Sequence, residues 1–364
     1  MQDRYVADEA RVSISSLEAE TIMKSTPVQT VKSIFGRIGI EYEDGLPKEA
    51  YISALKEEFC SEPKWVLLML PKVMLDFLTE VWENSVIAMT EERWNYIEYL
   101  KIFGFLAYQM GNPVTDEPNR LIVVEEMKDN FYFLLKSRKN RKLLSVYDEW
   151  EKIITGFMYY YGFIETRTLY SLFLKVSKKV ISYEDFLLFI KCRTSLWPFG
   201  AILKDTFEKN EYFQYLNVEN PDMLLEYVRQ HENLPYKPIK LEDLIYISDA
   251  AGIDNRWRGV SELGNLFIDK MGLNYYRATV LVRTLLIMIK NGSSYEKLQE
   301  KVSILSFENA QIREEVQQAV RQIFENVPVF EYKGYSRAEY KRLSYQKQLK
   351  KRKNLFTIID GGKE

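Results

Sequence analysis

A run of basic side chains near the C-terminus has the clearest chemistry in this sequence. Segment 337–353, RAEYKRLSYQKQLKKRK, holds a single acid, Glu339. Its basic residues are Arg337, Lys341, Arg342, Lys347, Lys350, Lys351, Arg352 and Lys353. Lysine and arginine bind phosphate and carboxylate groups. The segment therefore predicts contacts with an anionic partner, or with acidic parts of the same chain.

The distribution of charge along the chain supports that prediction. The 364 residues include 50 Lys+Arg and 52 Asp+Glu. Residues 337–364 contain nine basic and three acidic residues, so residues 1–336 hold 41 and 49. Three interpretations of the basic segment stay open: a solvated helix, a strap on the acidic body, and a nucleic-acid contact. A membrane surface is disfavoured, because Leu343, Tyr345 and Leu349 form too small an apolar face.

If the basic segment binds nucleic acid, it is expected to contact phosphates and to carry little sequence information. A second basic group could add to such a surface. Its members are Arg138, Lys139, Arg141 and Lys142.

Candidates for catalysis and metal binding are few. The chain has one histidine, His231, and two cysteines, Cys60 and Cys192, which are far apart and outside any CxxC pattern. Three such scattered residues do not supply a closed zinc site. His231 lies in the polar segment RQHENLPYKP, which is typical of a surface residue. We therefore expect no metal, no cofactor and no enzymatic activity; carboxylate-based catalysis is the least favoured alternative.

Composition indicates a folded protein of two or three subdomains. Hydrophobic residues make up 46% of the chain and aromatic residues 14%, which is ample for burial. The polar start lacks a secretory signal, and no apolar run approaches about 18 residues. Two separated cysteines are typical of a reducing compartment. The expectation is a cytoplasmic protein with no membrane partner.

Apolar spacing is helical along most of the chain, so the predicted fold is all-α: mainly short helices, with at most one or two small hairpins. Glycine and proline mark the helix ends. Residues 1–12 are expected to be loose, and short helices are predicted at 17–25 and 28–39. Residues 90–110 are predicted as one helix, and 121–124 (LIVV) as the best short strand in the first half.

Segment 141–235 is predicted to form a winged-helix-like module of three helices and a hairpin. Ser182 and Asp185 suit the start of its third helix. That helix begins with acidic Glu184 and Asp185, which would repel phosphate, so it is interpreted as a packing helix rather than a DNA reader. The predicted hairpin turns at Pro198–Gly200. The segments on either side are 1–45 (N-terminal, partly disordered), 46–140 (helical subdomain), 236–330 (C-terminal bundle) and 331–364 (basic helix and tail).

Several motifs resemble a group of bacterial helical proteins, many from Firmicutes, that are largely uncharacterised. VPVFEYKGYSRAEY (327–340) is similar to the group's LPLWELKGYTPNEL signature. GFMYYYGFIETRTLYSLFLKV, LPYKPIKLEDLI and the opening helices are similar to other parts of the group, so the resemblance spans residues 46–345. It implies a helical fold and a bacterial source. Many members end in a SEC-C zinc motif, but the tail here (NLFTIIDGGKE) has no Cys or His, so zinc binding is not implied.

Two functional hypotheses lead. The first is a non-enzymatic helical interaction or regulatory protein with an unknown protein partner. The second is a nucleic-acid-binding protein that uses the basic C-terminal helix for phosphate contacts. The sequence leaves the oligomeric state open.

Overall fold

The computed structural model describes most of the chain, and mainly as helix. The described residues are 10–17, 28–29, 32, 43–61, 64–102, 105–110, 119–194, 200–204 and 210–360. They divide into two compact units. Unit 1 comprises the described parts of Met1–Trp150 and Ile181–Pro198, and unit 2 those of Glu151–Val180 and Phe199–Glu364. The five-segment division of the chain stays a prediction.

Unit 1 combines short helices with a small sheet. Its helices are α1 (Lys48–Ser61), α2 (Lys64–Met69), α3 (Lys72–Glu83), α4 (Glu91–Ile102), α5 (Glu125–Lys136), the first half of α6 (Arg138–Tyr161) and α8 (Tyr183–Thr194). Its strands are β1 (Ala10–Leu17), β2 (Val86–Met89), β3 (Leu106–Gln109) and β4 (Arg120–Val124). The sheet order is β2-β1-β4-β3, with β1 and β4 parallel and the outer pairs antiparallel.

The predicted strand at LIVV is confirmed as β4. Its residues Leu121–Val124 are buried, as expected for a β-branched apolar run in the middle of a sheet. The single helix predicted over 90–110 is wrong in its second half, because α4 ends at Ile102 and β3 follows at Leu106. Residues 106–109 form a strand because they pair with β4, for example Leu106 with Val123, and a partner so remote in sequence leaves no local signal.

The N-terminal expectation also changes. Residues 10–12 belong to β1 rather than to a loose end, since Val12 pairs with Ile87 of β2. The predicted helix at 17–25 starts on the last residue of β1, and its remainder lies outside the described residues. The helix predicted at 28–39 also lies mostly outside them, although 28, 29 and 32 are helical.

Unit 2 begins with the second half of α6 and a three-stranded sheet. The other elements of this part are β5 (Phe163–Glu165), α7 (Thr166–Ser177), β6 (Ala201–Lys204) and β7 (Glu211–Gln214). The antiparallel order is β5-β7-β6. An antiparallel pair of strands is present here, but it joins Ala201–Lys204 to Glu211–Gln214, so both strands follow Gly200 and the predicted turn at Pro198–Gly200 does not connect them.

The remainder of unit 2 is helical. Its helices are α9 (Pro221–Gln230), α10 (Leu241–Asp249), α11 (Val260–Asn265) with a π-helical continuation (Leu266–Lys270), α12 (Tyr275–Lys290), α13 (Tyr295–Ser303), α14 (Ala310–Asn326), a 3-10 turn (Phe330–Tyr332) and α15 (Arg337–Asp360). One apolar face of α14 is buried through Ile312, Val316, Val320 and Ile323, as its 3.6-residue spacing predicts.

Helix boundaries follow the sequence signals closely. α6 ends before Gly162 and α12 before Asn291-Gly292; both glycines have the positive φ that a left-handed cap requires. Ser182 caps α8, with its Oγ 3.0 Å from the Asp185 N–H. The mainly helical prediction is confirmed, but two small sheets exceed the one or two hairpins expected.

Candidate functional site at the basic helix

The start of α15 is fixed by a capping box. The backbone N–H of Ser336 donates to Oε2 of Glu339 at 2.9 Å, and the N–H of Glu339 donates to Oγ of Ser336 at 3.3 Å. This reciprocal pair satisfies two N–H groups that a helix start leaves without partners. Glu339 also accepts both contacts from Lys237 Nζ, at 2.7 and 2.9 Å. The single acid in the basic run is therefore a structural residue.

Arg337 is an anchor of the helix rather than a surface cation. Only 9% of it is exposed, and its guanidinium lies 4.0 Å from the centre of the Phe324 ring. It donates to the carbonyls of Phe324 (3.4 Å) and Ser293 (3.1 Å). Burial lowers the pKa of the guanidinium. Arg337 therefore stabilises α15 on α14 and cannot serve a partner.

The next basic residues also contact unit 2. Lys341 pairs with Glu325 at 3.1 Å. Lys347 donates to the carbonyl of Asn233 at 3.3 Å, and Arg342 donates to the carbonyl of Ala338, one turn back in its own helix, at 3.3 Å. All three side chains are exposed, so these contacts are weak and can be exchanged for a partner.

The remaining predicted site residues belong to the same helix. Lys350, Lys351, Arg352 and Lys353 lie within α15, and their side chains are outside the described part of the structure. We call these four residues the distal basic cluster. The second basic group, Arg138, Lys139, Arg141 and Lys142, is exposed in the first turns of α6 in unit 1.

The segment that carries the resemblance, 327–340, consists of a packed turn and the first four residues of α15. The N–H of Val329 donates to the carbonyl of Tyr335 at 3.0 Å, and Val327, Val329 and Phe330 are buried. Gly334 has φ +89°, and a Cβ there would lie 2.8 Å from the ring of Tyr161. Only glycine allows this approach. The motif thus has a structural role in holding the base of α15.

His231 lies beside this turn and is half-buried rather than a surface residue. Its Nδ1 is 2.9 Å from the carbonyl of Tyr227, which can only accept, so we place the proton on Nδ1. Nε2 then accepts from the hydroxyl of Tyr340 at 3.1 Å. Tyr340 also stacks on Tyr332 with ring centres 4.3 Å apart. These contacts tie α9 to α15.

A lysine on α12 is buried, and no local sequence pattern predicts its burial. Lys290 is 3% exposed; its Nζ donates to the carbonyl of Gly252 at 3.4 Å and lies 4.9 Å from the Trp257 ring centre. Burial lowers its pKa to about 7, partly opposed by the charge of Asp254. Asp254 is itself held by Arg256, at 2.9 and 2.8 Å. Lysine is otherwise common at a helix C-terminus, where its charge complements the helix dipole in solvent.

Metal ligands do not gather within the described residues, where no group of three or more His, Cys, Asp or Glu side chains could hold an ion. Cys192 is buried in α8, and burial raises the pKa of its thiol to about 12, as expected for a structural cysteine. The side chain of Cys60 lies outside the described part. The absence of zinc stays a prediction.

No protein-family model, curated protein or solved structure matches this chain. The resemblance to the bacterial helical group therefore stays a prediction. Among the described residues, no helix combines the length and the apolar character needed to cross a bilayer.

Proposed function

We propose that this chain is a non-enzymatic interaction protein that presents α15 to an anionic partner. One observation carries the proposal: the basic residues divide along the helix. Arg337 and Glu339 at its base form hydrogen bonds and an ion pair within unit 2, whereas the distal basic cluster lies further along the same helix. A basic segment within a helix that is fixed at its base loses less conformational entropy on binding than a loose tail would.

Nucleic acid is the second candidate partner. The charge difference between residues 1–336 and 337–364 favours it, because a locally basic segment on an acidic chain attracts polyanions without strong self-association. Contacts from the distal basic cluster would fall on phosphates and be insensitive to sequence. Lys341, Arg342 and Lys347 would join by leaving their present weak contacts.

The winged-helix-like interpretation of 141–235 belongs to the same proposal. The sheet order β5-β7-β6 and α7 of unit 2 support it, whereas α8, the predicted third helix, belongs to unit 1. The start of α8 is acidic, with Glu184 and Asp185 exposed, so we propose packing and not DNA reading for this helix. A carboxylate-based enzyme stays the least favoured alternative.

The test is co-purification from the natural host at low salt. The wild-type chain is compared with a variant in which Lys350, Lys351, Arg352 and Lys353 are alanine. We expect mass spectrometry to find a protein in near-stoichiometric amount with the wild type and not with the variant. An elevated ratio of absorbance at 260 to 280 nm would instead assign the site to nucleic acid. Identical material on both chains would contradict the proposal.

A further inference from the structure

A groove on α13 and α14 has the chemistry of a peptide-binding surface. One part of it, about 680 Å³, is lined mainly by polar side chains. These include carboxamides from α13 and α14: Gln299, Gln317, Gln318, Gln322 and Asn326. Four of the twelve glutamines of the chain are among them, so carboxamides are concentrated here. A carboxamide both donates and accepts hydrogen bonds, as a peptide group does.

A smaller part with mixed polar and apolar lining continues the groove. It measures about 230 Å³, and three apolar side chains, Val302, Phe307 and Val320, line it together with Ser303 and Arg313. It shares Gln299 and Gln317 with the polar part. The two parts therefore form one surface, which we call the amide groove. Its apolar end is large enough for a single aliphatic side chain.

Two arginines are held over aromatic rings along the amide groove. The guanidinium of Arg313 lies 5.5 Å from the centre of the Phe307 ring, and that of Arg321 lies 5.6 Å from the Tyr295 ring. Both arginines are exposed, and such stacking orients a guanidinium without neutralising it. Each is thus prepared to bind a carboxylate.

The spacing of these arginines suggests an extended ligand. Arg321 follows Arg313 by eight positions on α14, which gives a rise of about 12 Å along the helix axis at about 1.5 Å per residue and a rotation of about 80° around it. In an extended peptide, residues i and i+4 point to the same side and lie about 13 Å apart. Acidic side chains at those two positions would reach both arginines, while the backbone between them meets the carboxamides.

Two carboxylates favour a peptide over nucleic acid in this groove. Glu314 lines the polar part, and so does Glu325, which is paired with Lys341. A continuous phosphate backbone would meet at least the Glu314 charge, whereas a peptide carries charge only at chosen positions. Arg258 also lines the polar part, and the loop that carries it packs directly on α14, since a Cβ at Gly259 would lie 2.9 Å from the carbonyl of Ala319.

We propose that the amide groove binds an extended peptide segment of a partner protein, with acidic side chains four residues apart on Arg313 and Arg321. This inference rests on the proposed interaction function and names a second contact surface for it. An aliphatic residue near the first acid would fill the apolar end.

The test is selection of a displayed library of random 12-residue peptides on the immobilised full chain. We expect enrichment of peptides with two acids at i and i+4. Arg313→Gln and Arg321→Gln should each lower the affinity of the chain for a synthetic copy of an enriched peptide at least tenfold, because a charge-assisted contact is lost. Arg277→Gln, an equally exposed arginine at the start of α12, is the matched control and should change affinity less than twofold.

Four results would overturn the inference. The first two are no enrichment of acids at i and i+4, and peptide affinities that Arg313→Gln and Arg321→Gln leave unchanged. The other two are enrichment of acids seven or eight residues apart, which indicates a helical ligand, and binding of a labelled single-stranded DNA 20-mer that Arg321→Gln abolishes. Unchanged circular dichroism shows that the variants fold. If the peptide selection fails but partner retention still depends on the distal basic cluster, the proposed function stands. If peptides bind the amide groove but partner retention does not depend on the distal basic cluster, only the proposed function is contradicted.

Discussion

At the scale of single residues, Lys290 shows how burial changes an ordinary side chain. Four groups act on its ammonium: the Gly252 carbonyl, the rings of Trp257 and Tyr159, and the charge of Asp254, which Arg256 already neutralises. The unfolded chain holds this proton up to about pH 10.5, and the folded chain releases it near pH 7. The unfolded state binds more protons between these values, so this residue makes the free energy of unfolding rise with pH across that window.

Lys290→Met is expected to stabilise the protein at about pH 6 and to do so less as pH approaches 10. The two pKa values correspond to an upper bound on the order of 5 kcal/mol at about 1.4 kcal/mol per pH unit. Denaturant unfolding of wild type and variant at several pH values measures the difference. Lys297→Met, at an exposed position on α13, serves as control and should show no such trend. A pH-independent difference for Lys290→Met would contradict the assignment.

Residue roles within the basic run were only partly predictable. The residue types predict anion-binding chemistry, and that stays a prediction, whereas Arg337 and Glu339 are used inside unit 2. The S-x-x-E spacing of Ser336 and Glu339 is a local signal that could have identified the capping box. The contacts of Arg337 with Ser293 and Phe324 come from residues distant in sequence, so no local pattern reveals them.

At the scale of elements, α15 depends on its first turn. Ser336→Ala removes the Oγ that accepts the Glu339 N–H, and we expect a loss of about 1 kcal/mol in the free energy of unfolding. Thermal or urea unfolding measures it. Ser344→Ala, further along α15, is the matched control, since serine and alanine differ little within a helix. Equal effects of the two changes would argue against the capping role.

The distal basic cluster makes a prediction for duplex DNA. If nucleic acid is the partner, log K should fall with log[salt] at about −0.9 per phosphate contact. Alanine at Lys350, Lys351, Arg352 and Lys353 should then reduce the slope by roughly three to four. Fluorescence anisotropy with a labelled 20-bp duplex measures this. A slope that the four changes leave unaltered would exclude the cluster from phosphate contacts.

Helices were more predictable than strands for a physical reason. Helix hydrogen bonds are local, so Gly162, Gly292 and Ser182 report the boundaries of α6, α12 and α8 directly. The strands β1, β2, β3 and β5 are short, and each forms because a partner distant in sequence completes its hydrogen bonds. For the same reason, the amide groove emerges only when α13 packs beside α14.

At the scale of the whole molecule, we expect a far-ultraviolet circular dichroism spectrum dominated by helix. The two small sheets contribute strands of three to eight residues, against helices of up to 24. Strand content above helix content would contradict the fold described here. The measurement needs only the purified full chain, and it also serves as the folding control for each variant.

We infer that the base of α15 stabilises unit 2, and we propose that its distal basic cluster binds the partner. The most direct measurement compares thermal midpoint and low-salt partner retention in three chains: wild type, Arg337→Met, and the variant with alanine at 350–353. We expect Arg337→Met to lower the midpoint, since it leaves the carbonyls of Phe324 and Ser293 without a donor. The distal variant should lose its partner at an unchanged midpoint. A lowered midpoint with full partner retention in the distal variant would contradict the claim, because the cluster would then be a strap on the protein's own acidic surface.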